Sequence, residues 1–347
     1  MKVSIIGASG YTGGELLRLL VQHPEVEIKY IFSRKNEGKY VHEIHPFLKN
    51  ILNIKFASFN NIESAFNSDI IFSCVPHGVS MNIIPSLIES GVKIIDLSAD
   101  FRLKSVEEYK AWYNIDHKNP ELLNEFIYGI PEINKEKISS ASLVSNPGCI
   151  AIASILALYP FAKRRKISDL IFIDAKVGSS GSGRSIKLSS IFSERFGSIR
   201  AYKAAMHRHT PEIEEQLRMY SGVNLNVSLS AHSVNNVRGI LVTSYVNYYD
   251  DVSNIWSYFR EDYGSEKFVR IIRNPSGIYK LPDPKFLIGS NFVDIGFELD
   301  NRNKKTIIIS ALDNLVKGAA GNAIQCMNLM FGLKETEGLL FPPIYPV

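Results

Sequence analysis

The sequence predicts an α/β protein of two domains, the first a parallel sheet covered by helices and the second built on a longer, mixed sheet. In the first 150 residues or so, short apolar strands alternate with helices, a pattern typical of a parallel sheet with helices on both faces. Beyond residue 148 the strands lengthen and alternate polar with apolar residues, which indicates an open antiparallel or mixed sheet with one solvated face. The length of 347 residues fits two domains at roughly 150 residues each.

The individual elements follow from the spacing of apolar residues and from turn residues. Helical spacing ends at His23-Pro24 and at Gly91, because proline cannot donate to the helix and glycine favours its end. A later helix, starting at 150, is expected to end at 158, just before Pro160. Strands are predicted at 3–6, 28–32, 69–74, 92–97, 143–145, 171–177, 226–232, 239–248, 291–298 and 305–312, and helices at 15–22, 81–90, 106–112, 150–158 and 314–333.

The predicted domain boundary lies near residue 148, where the predicted strands become longer and begin to alternate polar with apolar residues. We assign 1–148 to the first domain and 149–313 to the second. The tail, 314–347, begins with helical spacing and is predicted to pack back on the first domain.

Composition narrows the class of protein. The 39 basic and 35 acidic side chains give a net charge of only +4, and without a clustered basic face this argues against nucleic acid as a partner. Three widely spaced cysteines exclude a disulfide framework and a cysteine-rich zinc site. No signal peptide is expected, because the chain enters a strand-like pattern within two residues of Met1, and no apolar run of about 18 residues occurs. A soluble cytoplasmic protein without a membrane partner is therefore expected.

A glycine-rich turn near the start of the chain predicts a dinucleotide site. Gly7 to Gly13 reads G-x-x-G-x-x-G between a strand and a helix, where glycines allow a tight turn and a pyrophosphate can sit on the helix N-terminus. The alternative is a plain glycine turn, which the strand before it and the helix after it make less plausible.

The end of the second strand indicates the cofactor subtype. An acidic residue there usually binds the ribose 2′-hydroxyl of NAD, whereas this chain reads Phe32-Ser33-Arg34-Lys35. No carboxylate would repel a 2′-phosphate, and Arg34 can hold one with two hydrogen bonds. The pattern therefore predicts NADP(H), against the alternative of a solvated basic loop.

Cys149 is the candidate nucleophile. It follows Asn146-Pro147-Gly148 and precedes a helix, and a helix N-terminus lowers the pKa of a thiol. A lone cysteine is more often structural, and Cys74 and Cys326 lie in apolar runs that suit packing.

Two histidines, His207 and His209, lie just before a predicted helix with Thr210 as N-cap and Pro211 as first helical residue. Glu212 would lie in the first turn, close enough to orient a histidine. Spacing by itself does not choose between the two histidines. A metal site is not expected, because no third ligand accompanies the H-x-H pattern.

The segment Gly178-Ser179-Ser180-Gly181-Ser182-Gly183-Arg184 follows a strand. Its amides, hydroxyls and arginine could bind a substrate or cofactor phosphate, and a flexible loop is an equal alternative.

Several motifs in one order resemble the N-acetyl-γ-glutamyl-phosphate reductase family over nearly the whole chain. That family is grouped with the aspartate-semialdehyde dehydrogenases. The resemblance implies a Rossmann dinucleotide-binding domain and a glyceraldehyde-3-phosphate-dehydrogenase-like α+β catalytic and dimerisation domain. The matching pieces are Gly7 to Gly13, Val75-Pro76-His77-Gly78, Asp96-Leu97-Ser98-Ala99-Asp100-Phe101-Arg102, Asn146-Pro147-Gly148-Cys149 and His207-Arg208-His209-Thr210-Pro211-Glu212.

The resemblance also implies roles for individual residues. Cys149 would be the nucleophile and His209 the acid–base residue, supported by Glu212. Side chains and amides at Ser9, Gly10, Tyr11, Thr12, Gly13, Ser33, Arg34 and Lys35 would bind NADP, with Asn314 at the nicotinamide end. Ser98, Arg102 and Arg238 are expected substrate contacts.

Two segments depart from the family pattern. Ile150-Ala151-Ile152 replaces an aromatic residue followed by Pro-Thr, and Ala231 to Gly239 lacks the proline expected before Arg238. These departures resemble the lysine-pathway branch, whose aminoadipyl or glutamyl phosphate is attached through its amine to a small acidic carrier protein. The basic run Lys163-Arg164-Arg165-Lys166 could dock such a carrier, although a solvated turn is the more common explanation of a short basic run.

The resulting hypothesis is an NADP-dependent acyl-phosphate reductase of lysine or arginine biosynthesis. The Cys149 thiolate displaces phosphate, a hydride reduces the thioester, and the thiohemiacetal collapses to an aldehyde with His209 supplying the proton. A homo-oligomer, dimer or tetramer, is expected. The alternatives are N-acetyl-γ-glutamyl-phosphate reduction of the free substrate, aspartate-semialdehyde formation, and a non-catalytic NADP-binding regulatory protein.

Overall fold

A computed structural model describes residues 1–273 and 276–347 and divides the chain into two compact units. The first comprises Met1–Pro147 and Ala319–Leu340, and the second Gly148–Gly318 and Phe341–Val347. The second unit begins at Gly148, and the tail is shared between the units. Its last residues belong to the second unit, where the Ile344 amide donates to the Ile288 carbonyl and the Tyr345 ring stacks on Phe286.

The first unit contains a sheet of seven strands in the order β3-β2-β1-β4-β5-β7-β6, and every pairing is parallel. Its central strands are almost wholly buried, as expected of a parallel sheet covered on both faces. The strands are β1 Lys2–Ile6, β2 Glu27–Phe32, β3 Phe56–Ala57, β4 Ile70–Ser73, β5 Lys93–Asp96, β6 Ile127–Tyr128 and β7 Leu143–Ser145. The predicted parallel α/β sheet is confirmed.

Helices and short 3₁₀ turns connect these strands. One core cluster joins β1, β4 and β5 to α3 and α4 through Ile6, Ile71, Ile94, Leu87 and Tyr109, all fully buried. The helices are α1 Tyr11–Leu20, α2 Val41–Ile44, α3 Ile84–Ile88, α4 Val106–Tyr113, α5 Pro131–Ser139 and, near the C-terminus, α10 Gly321–Met330, with 3₁₀ turns at Pro46–Leu48, Phe59–Asn67, Ser80–Asn82 and Pro120–Leu122.

The order of the strands reverses between β1 and β4. Open parallel sheets bind ligands at the carboxyl ends of the strands beside such a switch point. The glycine turn Gly7 to Gly13 follows β1, and Val75 to Gly78 follows β4. The fold thus brings two motifs of the sequence to the same edge.

The second unit is built on a mixed sheet in the order β12-β13-β14-β11-β8-β10-β9. Burial alternates along β8 and β11, which leaves one face of the sheet open, as predicted. The strands are β8 Leu170–Val177, β9 Arg200–Lys203, β10 Asn226–Ser233, β11 Ile240–Val246, β12 Val269–Ile271, β13 Val293–Asp300 and β14 Lys305–Leu312. The pairs β8–β10 and β12–β13 are parallel and the others antiparallel.

Two of these strands were not predicted. Strand β9 is exposed at every residue, so it has no apolar alternation, and β12 has only three residues. The tail also differs, because a π-helical turn, Val316–Ala320, precedes α10 where one continuous helix was predicted. In the first unit the helix predicted at 81–90 is likewise divided into Ser80–Asn82 and α3.

The expectation that Pro160 ends its helix is wrong. The helix α6, Cys149–Lys163, continues through the proline. Proline deprives the carbonyl four residues earlier of its helical donor. The hydroxyl of Tyr263 donates to that carbonyl, Leu156, at 2.7 Å and so replaces the missing bond. The remaining helices of this unit are α7 Phe192–Arg195, α8 Thr210–Ser221 and α9 Val252–Tyr263, with 3₁₀ turns at Ser179–Ser182, Leu188–Ser190 and Pro284–Phe286.

Along the described part of the chain, no helix combines the length and apolar character needed to cross a bilayer.

Candidate active site

Cys149 is the first residue of α6, with Gly148 at the N-cap. Free backbone amides and the positive end of the helix dipole face this position, which favours a thiolate. The thiol is half-buried. Burial, and secondarily the charge of Asp96, raises the pKa of Cys74, while Cys326 is fully buried. Of the three thiols, Cys149 therefore has the surroundings of a nucleophile.

Glu212 holds the turn that carries Cys149. This carboxylate is 1% exposed, and its Oε2 accepts a hydrogen bond from the Gly148 amide at 2.9 Å. Helix α8 begins at Thr210, one residue earlier than predicted, so Thr210 is helical and His209 stands at the N-cap. The bond to Gly148 ties α8 to the start of α6, and the expected role of Glu212 in orienting a histidine stays a prediction.

His209 lies directly against Gly148. A methyl group built on the Gly148 α-carbon would lie 2.2 Å from His209 Nε2 and 2.5 Å from its Cδ2. The imidazole therefore occupies the space beside the residue that precedes Cys149. On the other side of the cysteine, a methyl on Gly318 would lie 2.8 Å from Cys149 Cβ. Two glycines thus make room for the histidine and for the cysteine.

The two histidines of the cluster differ in environment. His207 is 6% exposed, and burial, with Arg208 and Lys203, lowers its pKa to about 4. Its Nε2 is 3.1 Å from the Tyr202 hydroxyl, and its Nδ1 accepts from the His209 amide. His209 is half-buried, and its expected role as the acid–base residue stays a prediction.

Tyr202 was missed by the sequence reasoning. It lies on β9, which no alternation marks. Within residues 1–273 and 276–347, no group of three or more histidine, cysteine or acidic side chains is arranged to hold a metal ion.

The glycine turn has the close approaches that its motif predicts. Gly7 has a φ of +84°, and a methyl there would lie 2.6 Å from the Cys74 carbonyl oxygen. A methyl on Gly13 would lie 2.5 Å from the Ala8 α-carbon. By contrast, a methyl on Gly10 would meet nothing nearer than 3.9 Å. The backbone is thus tight beneath the turn and open at Gly10, the N-cap of α1, where a pyrophosphate can approach.

The residues expected to bind the 2′-phosphate surround this turn. The Ser33 hydroxyl donates to the Ser9 hydroxyl at 3.0 Å, which joins the end of β2 to the turn. Arg34 and Lys35 are exposed, and the Arg34 guanidinium lies 5.2 Å from the centre of the Phe59 ring. This arrangement places two cations at the end of β2 with no carboxylate among residues 33–36.

Ser98 and Arg102 are buried and bond to the first unit itself. The Ser98 hydroxyl donates to Asp96 Oδ2 at 2.6 Å. Arg102 donates to the carbonyls of Asn146 at 2.9 Å and Leu97 at 3.0 Å. Both side chains therefore shape the loop after β5, and their contact with substrate stays a prediction.

Two buried carboxylates in this loop were not singled out from the sequence, although both lie in the Asp96 to Arg102 motif. Burial, and then the nearby Asp100, raises the pKa of Asp96 to about 6, although Ser80 and Ser98 donate to it. Asp100 accepts from the amides of Gly78 and Met81, and so organises the loop after β4.

In the second unit, hydrogen bonds join the neighbouring residues Arg238 and Gly239 to Asp313 and Asn314. Arg238 donates to Asp313 at 3.2 Å. The Asn314 amide accepts from the Gly239 amide at 2.8 Å and donates to the Ser180 hydroxyl at 2.9 Å. The expected contact of Asn314 with nicotinamide stays a prediction.

The segment 178–184 has fewer anion donors than expected. The amides of Gly178, Ser179 and Ser180 donate to the carbonyls of Gly239, Asn236 and Val237 at 2.8 to 3.0 Å. These amides are therefore committed to the backbone, and the Ser182 hydroxyl likewise donates to the Ser179 carbonyl at 2.9 Å.

The basic run 163–166 is largely neutralised by α9. Lys163 pairs with Asp262 at 2.8 Å, and Arg164 pairs with Glu261 and Asp262. It is therefore not the free basic surface that a docking site for an acidic carrier would need.

Comparison with known proteins identifies both halves of the chain. Residues 2–141 match the semialdehyde dehydrogenase NAD binding domain, and residues 149–314 match the semialdehyde dehydrogenase dimerisation domain. The expected dinucleotide cofactor is thereby confirmed at the level of the domain, while the contacts with the 2′-phosphate stay a prediction.

Full-length relatives are also similar. A Saccharolobus solfataricus protein named LysW-L-2-aminoadipate/LysW-L-glutamate phosphate reductase is 44% identical over 349 residues, covering 100% of this chain and 99% of its own. A Nitrosopumilus maritimus protein that provisionally carries the same name is 48% identical over 350 residues, covering 100% of both chains. The predicted family resemblance is confirmed.

Solved structures show the same fold at low identity. Aspartate semialdehyde dehydrogenase II from Vibrio cholerae has a TM-score of 0.74 at 17% identity, covering 95% of this chain and 98% of its own. Aspartate semialdehyde dehydrogenase from Candida albicans, with NADP, has a TM-score of 0.70 at 15% identity and the same coverage. The predicted two-domain α/β fold class is confirmed.

Proposed function

This chain belongs to the semialdehyde dehydrogenase family, and on that premise we propose that it reduces an acyl phosphate to a semialdehyde through a thioester on Cys149. The observation that carries the proposal is the placement of Cys149 at the start of α6 with the His209 ring against the preceding Gly148. A nucleophile at a helix N-terminus beside an acid–base group is what acyl transfer to sulfur requires.

In the first step the Cys149 thiolate attacks the acyl carbon, the bond from that carbon to the phosphate oxygen breaks, and phosphate leaves. The α6 N-terminus stabilises the thiolate, and His209 supplies the one proton that the overall reaction consumes. Glu212 keeps the Gly148 turn against α8, so that the sulfur and the imidazole hold one geometry.

Bound NADPH supplies the hydride that reduces the thioester. The resulting thiohemiacetal anion on Cys149 expels the thiolate and leaves the aldehyde. Residues Ser9 to Gly13 are proposed to hold the pyrophosphate, since their backbone is open at Gly10. Arg34, with Ser33 and Lys35, is proposed to bind the 2′-phosphate, which favours NADPH over NADH.

For the substrate, we propose an aminoadipyl or glutamyl phosphate linked through its amine to a small carrier protein of the LysW type. Relatives that are 44% and 48% identical over their full lengths carry this substrate in their names. A role in lysine or arginine biosynthesis is part of this proposal. Arg238 is the proposed substrate contact of the second unit, whose matched domain type also supports a homo-oligomer.

The chemistry is tested by withholding NADPH. Wild-type protein mixed with acyl phosphate should release a burst of about one phosphate per active site and gain an acyl adduct on Cys149, detected by mass spectrometry. Cys149→Ala should abolish the burst, the adduct and turnover. The matched control is Cys326→Ala, a buried cysteine in the first unit. Normal turnover by Cys149→Ala would contradict the mechanism.

The substrate is tested by competition among candidates in the same NADPH assay. Carrier-linked aminoadipyl and glutamyl phosphates should be reduced with a kcat/KM at least about tenfold above N-acetylglutamyl phosphate and aspartyl phosphate. A preference for either free substrate would replace the carrier-linked assignment without touching the role of Cys149.

A further inference from the structure

A chain of hydrogen bonds connects Tyr202, His207 and His209. The Tyr202 hydroxyl and His207 Nε2 are 3.1 Å apart, and the His209 backbone amide donates to His207 Nδ1 at 3.2 Å. The rings of His207 and His209 are in edge contact, with their centres 4.8 Å apart. His207 is thus engaged at both nitrogens, one by tyrosine and one by the backbone of the proposed acid–base residue.

This geometry determines where the proton of His207 lies. A backbone amide can only donate, so Nδ1 must accept and carries no hydrogen. In neutral imidazole the other nitrogen then carries the hydrogen. His207 therefore donates from Nε2, and the Tyr202 oxygen accepts.

His207 stays neutral over the working range of pH. It is 6% exposed, and Arg208 and Lys203 add positive charge nearby. Burial is the larger cause, and together these effects lower the pKa of His207 to about 4. The tautomer deduced above is consequently the form present near neutral pH.

Because Tyr202 accepts from His207, its own hydroxyl hydrogen points elsewhere. The bond to His207 is the one hydrogen bond of this hydroxyl within the described residues. Tyr202 keeps 47% of its surface exposed, so a second acceptor can approach. The Tyr202 ring is in edge contact with His207, their centres 5.8 Å apart, and His207 contacts His209, whose ring lies against Gly148, the residue before Cys149. Burial, and then the charge of Cys149, raises the pKa of Tyr202.

We propose that His207 directs the hydroxyl hydrogen of Tyr202 toward the acyl group carried on Cys149, which makes Tyr202 a second hydrogen-bond donor to that group. The inference rests on the proposed thioester chemistry. The acceptor is the acyl oxygen, which becomes negative when hydride arrives, and a donor aimed at developing charge accelerates the step. His207 is then a positioning residue and Tyr202 a catalytic one.

The kinetic test is Tyr202→Phe, with Tyr245→Phe as matched control because Tyr245 is a partly exposed tyrosine on β11. Tyr202→Phe should lower kcat about 100-fold or more, as expected for loss of one donor to an oxyanion, and change KM less than about threefold. The control should stay within about twofold in both. A kcat within twofold of wild type for Tyr202→Phe would overturn the proposal.

A double-mutant cycle tests whether His207 acts by orienting the Tyr202 hydroxyl or only by stabilising the fold. His207→Asn keeps an acceptor near the Nδ1 position for the His209 amide and loses the bond to Tyr202. It should lower kcat about as much as Tyr202→Phe, and the double variant should lose no more than either single one. Independent, multiplying losses would show that His207 acts by another route.

A measurement without substrate keeps this inference distinct from the proposed function. Nitrogen-15 NMR of the imidazoles near neutral pH should show His207 protonated at Nε2, and Tyr202→Phe should shift that signal more than Tyr245→Phe does. Protonation at Nδ1 overturns the proposal whatever the kinetics. If the wild-type protein reduces no acyl phosphate, the proposed function fails, and with it the catalytic role of Tyr202.

Discussion

Gly148→Ala tests the central feature of the site, the packing of His209 against the residue before Cys149. The added methyl would lie 2.2 Å from His209 Nε2, whereas ordinary contacts begin at 3.4 Å, so the ring must move by about 1 Å. Backbone strain is not involved, because Gly148 has φ −72° and ψ 148°, which alanine adopts freely. A misplacement of about 1 Å can cost about 100-fold in rate, or about 2.7 kcal/mol in the barrier.

The assay is phosphate- and NADP-dependent oxidation of the semialdehyde, followed by NADPH absorbance. Gly148→Ala should lower kcat/KM about 100-fold. In a His209→Ala background the clash is absent, so the same substitution should cost less than about threefold. Near-wild-type activity of Gly148→Ala, or an equal loss in both backgrounds, would refute the argument from packing.

Three further predictions follow from individual side chains. Glu212→Gln keeps an acceptor for the Gly148 amide but removes a negative charge near the α6 N-terminus, so iodoacetamide should label Cys149 about threefold faster near neutral pH. Slower labelling would show that the Glu212 charge affects the reactivity of Cys149 chiefly through a histidine. Folding lowers the pKa of His207 from 6.5 to about 4. Between pH 6.5 and pH 4 the unfolded chain therefore binds one more proton than the folded chain. The free energy of unfolding should consequently fall by up to about 3 kcal/mol as the pH drops from about 6.5 to about 4. Urea titrations of His207→Asn should lack this part of the loss, and an unchanged pH dependence would contradict the assignment. Arg34→Ala should raise KM for NADPH about tenfold or more and leave KM for NADH nearly unchanged, whereas equal losses would mean that Arg34 does not read the 2′-phosphate.

Much of the fold follows from local patterns. The buried runs of β4 and β5 and the alternation along β8 and β11 are properties of neighbouring residues, and such periods specify strands and their faces. Where the local signal was weak or misleading, the prediction failed. Strand β9 has no buried face, and Pro160 stands inside α6 because Tyr263, about 100 residues away, supplies the missing donor.

The candidate site divides in the same way. The candidate nucleophile, the glycine turn and the histidine cluster are recognisable because each is a short motif of specific residue types. The choice between His207 and His209, and the place of Tyr202, are not. The two histidines are distinguished by the burial of His207 and by the contact of the His209 ring with Gly148. The place of Tyr202 depends on the pairing of the edge strand β9 with β10.

By itself the sequence determined the class of fold and predicted a division near residue 148, the dinucleotide turn and Cys149 as the candidate nucleophile. Tertiary structure decided that Glu212 holds the Gly148 amide, that His209 packs on that glycine, and that Ser98 and Arg102 bond to the chain itself. The physical reason is range. Periodicity and turn chemistry act over a few residues, whereas the bond between Gly148 and Glu212 joins residues 64 positions apart, and only folding brings them together.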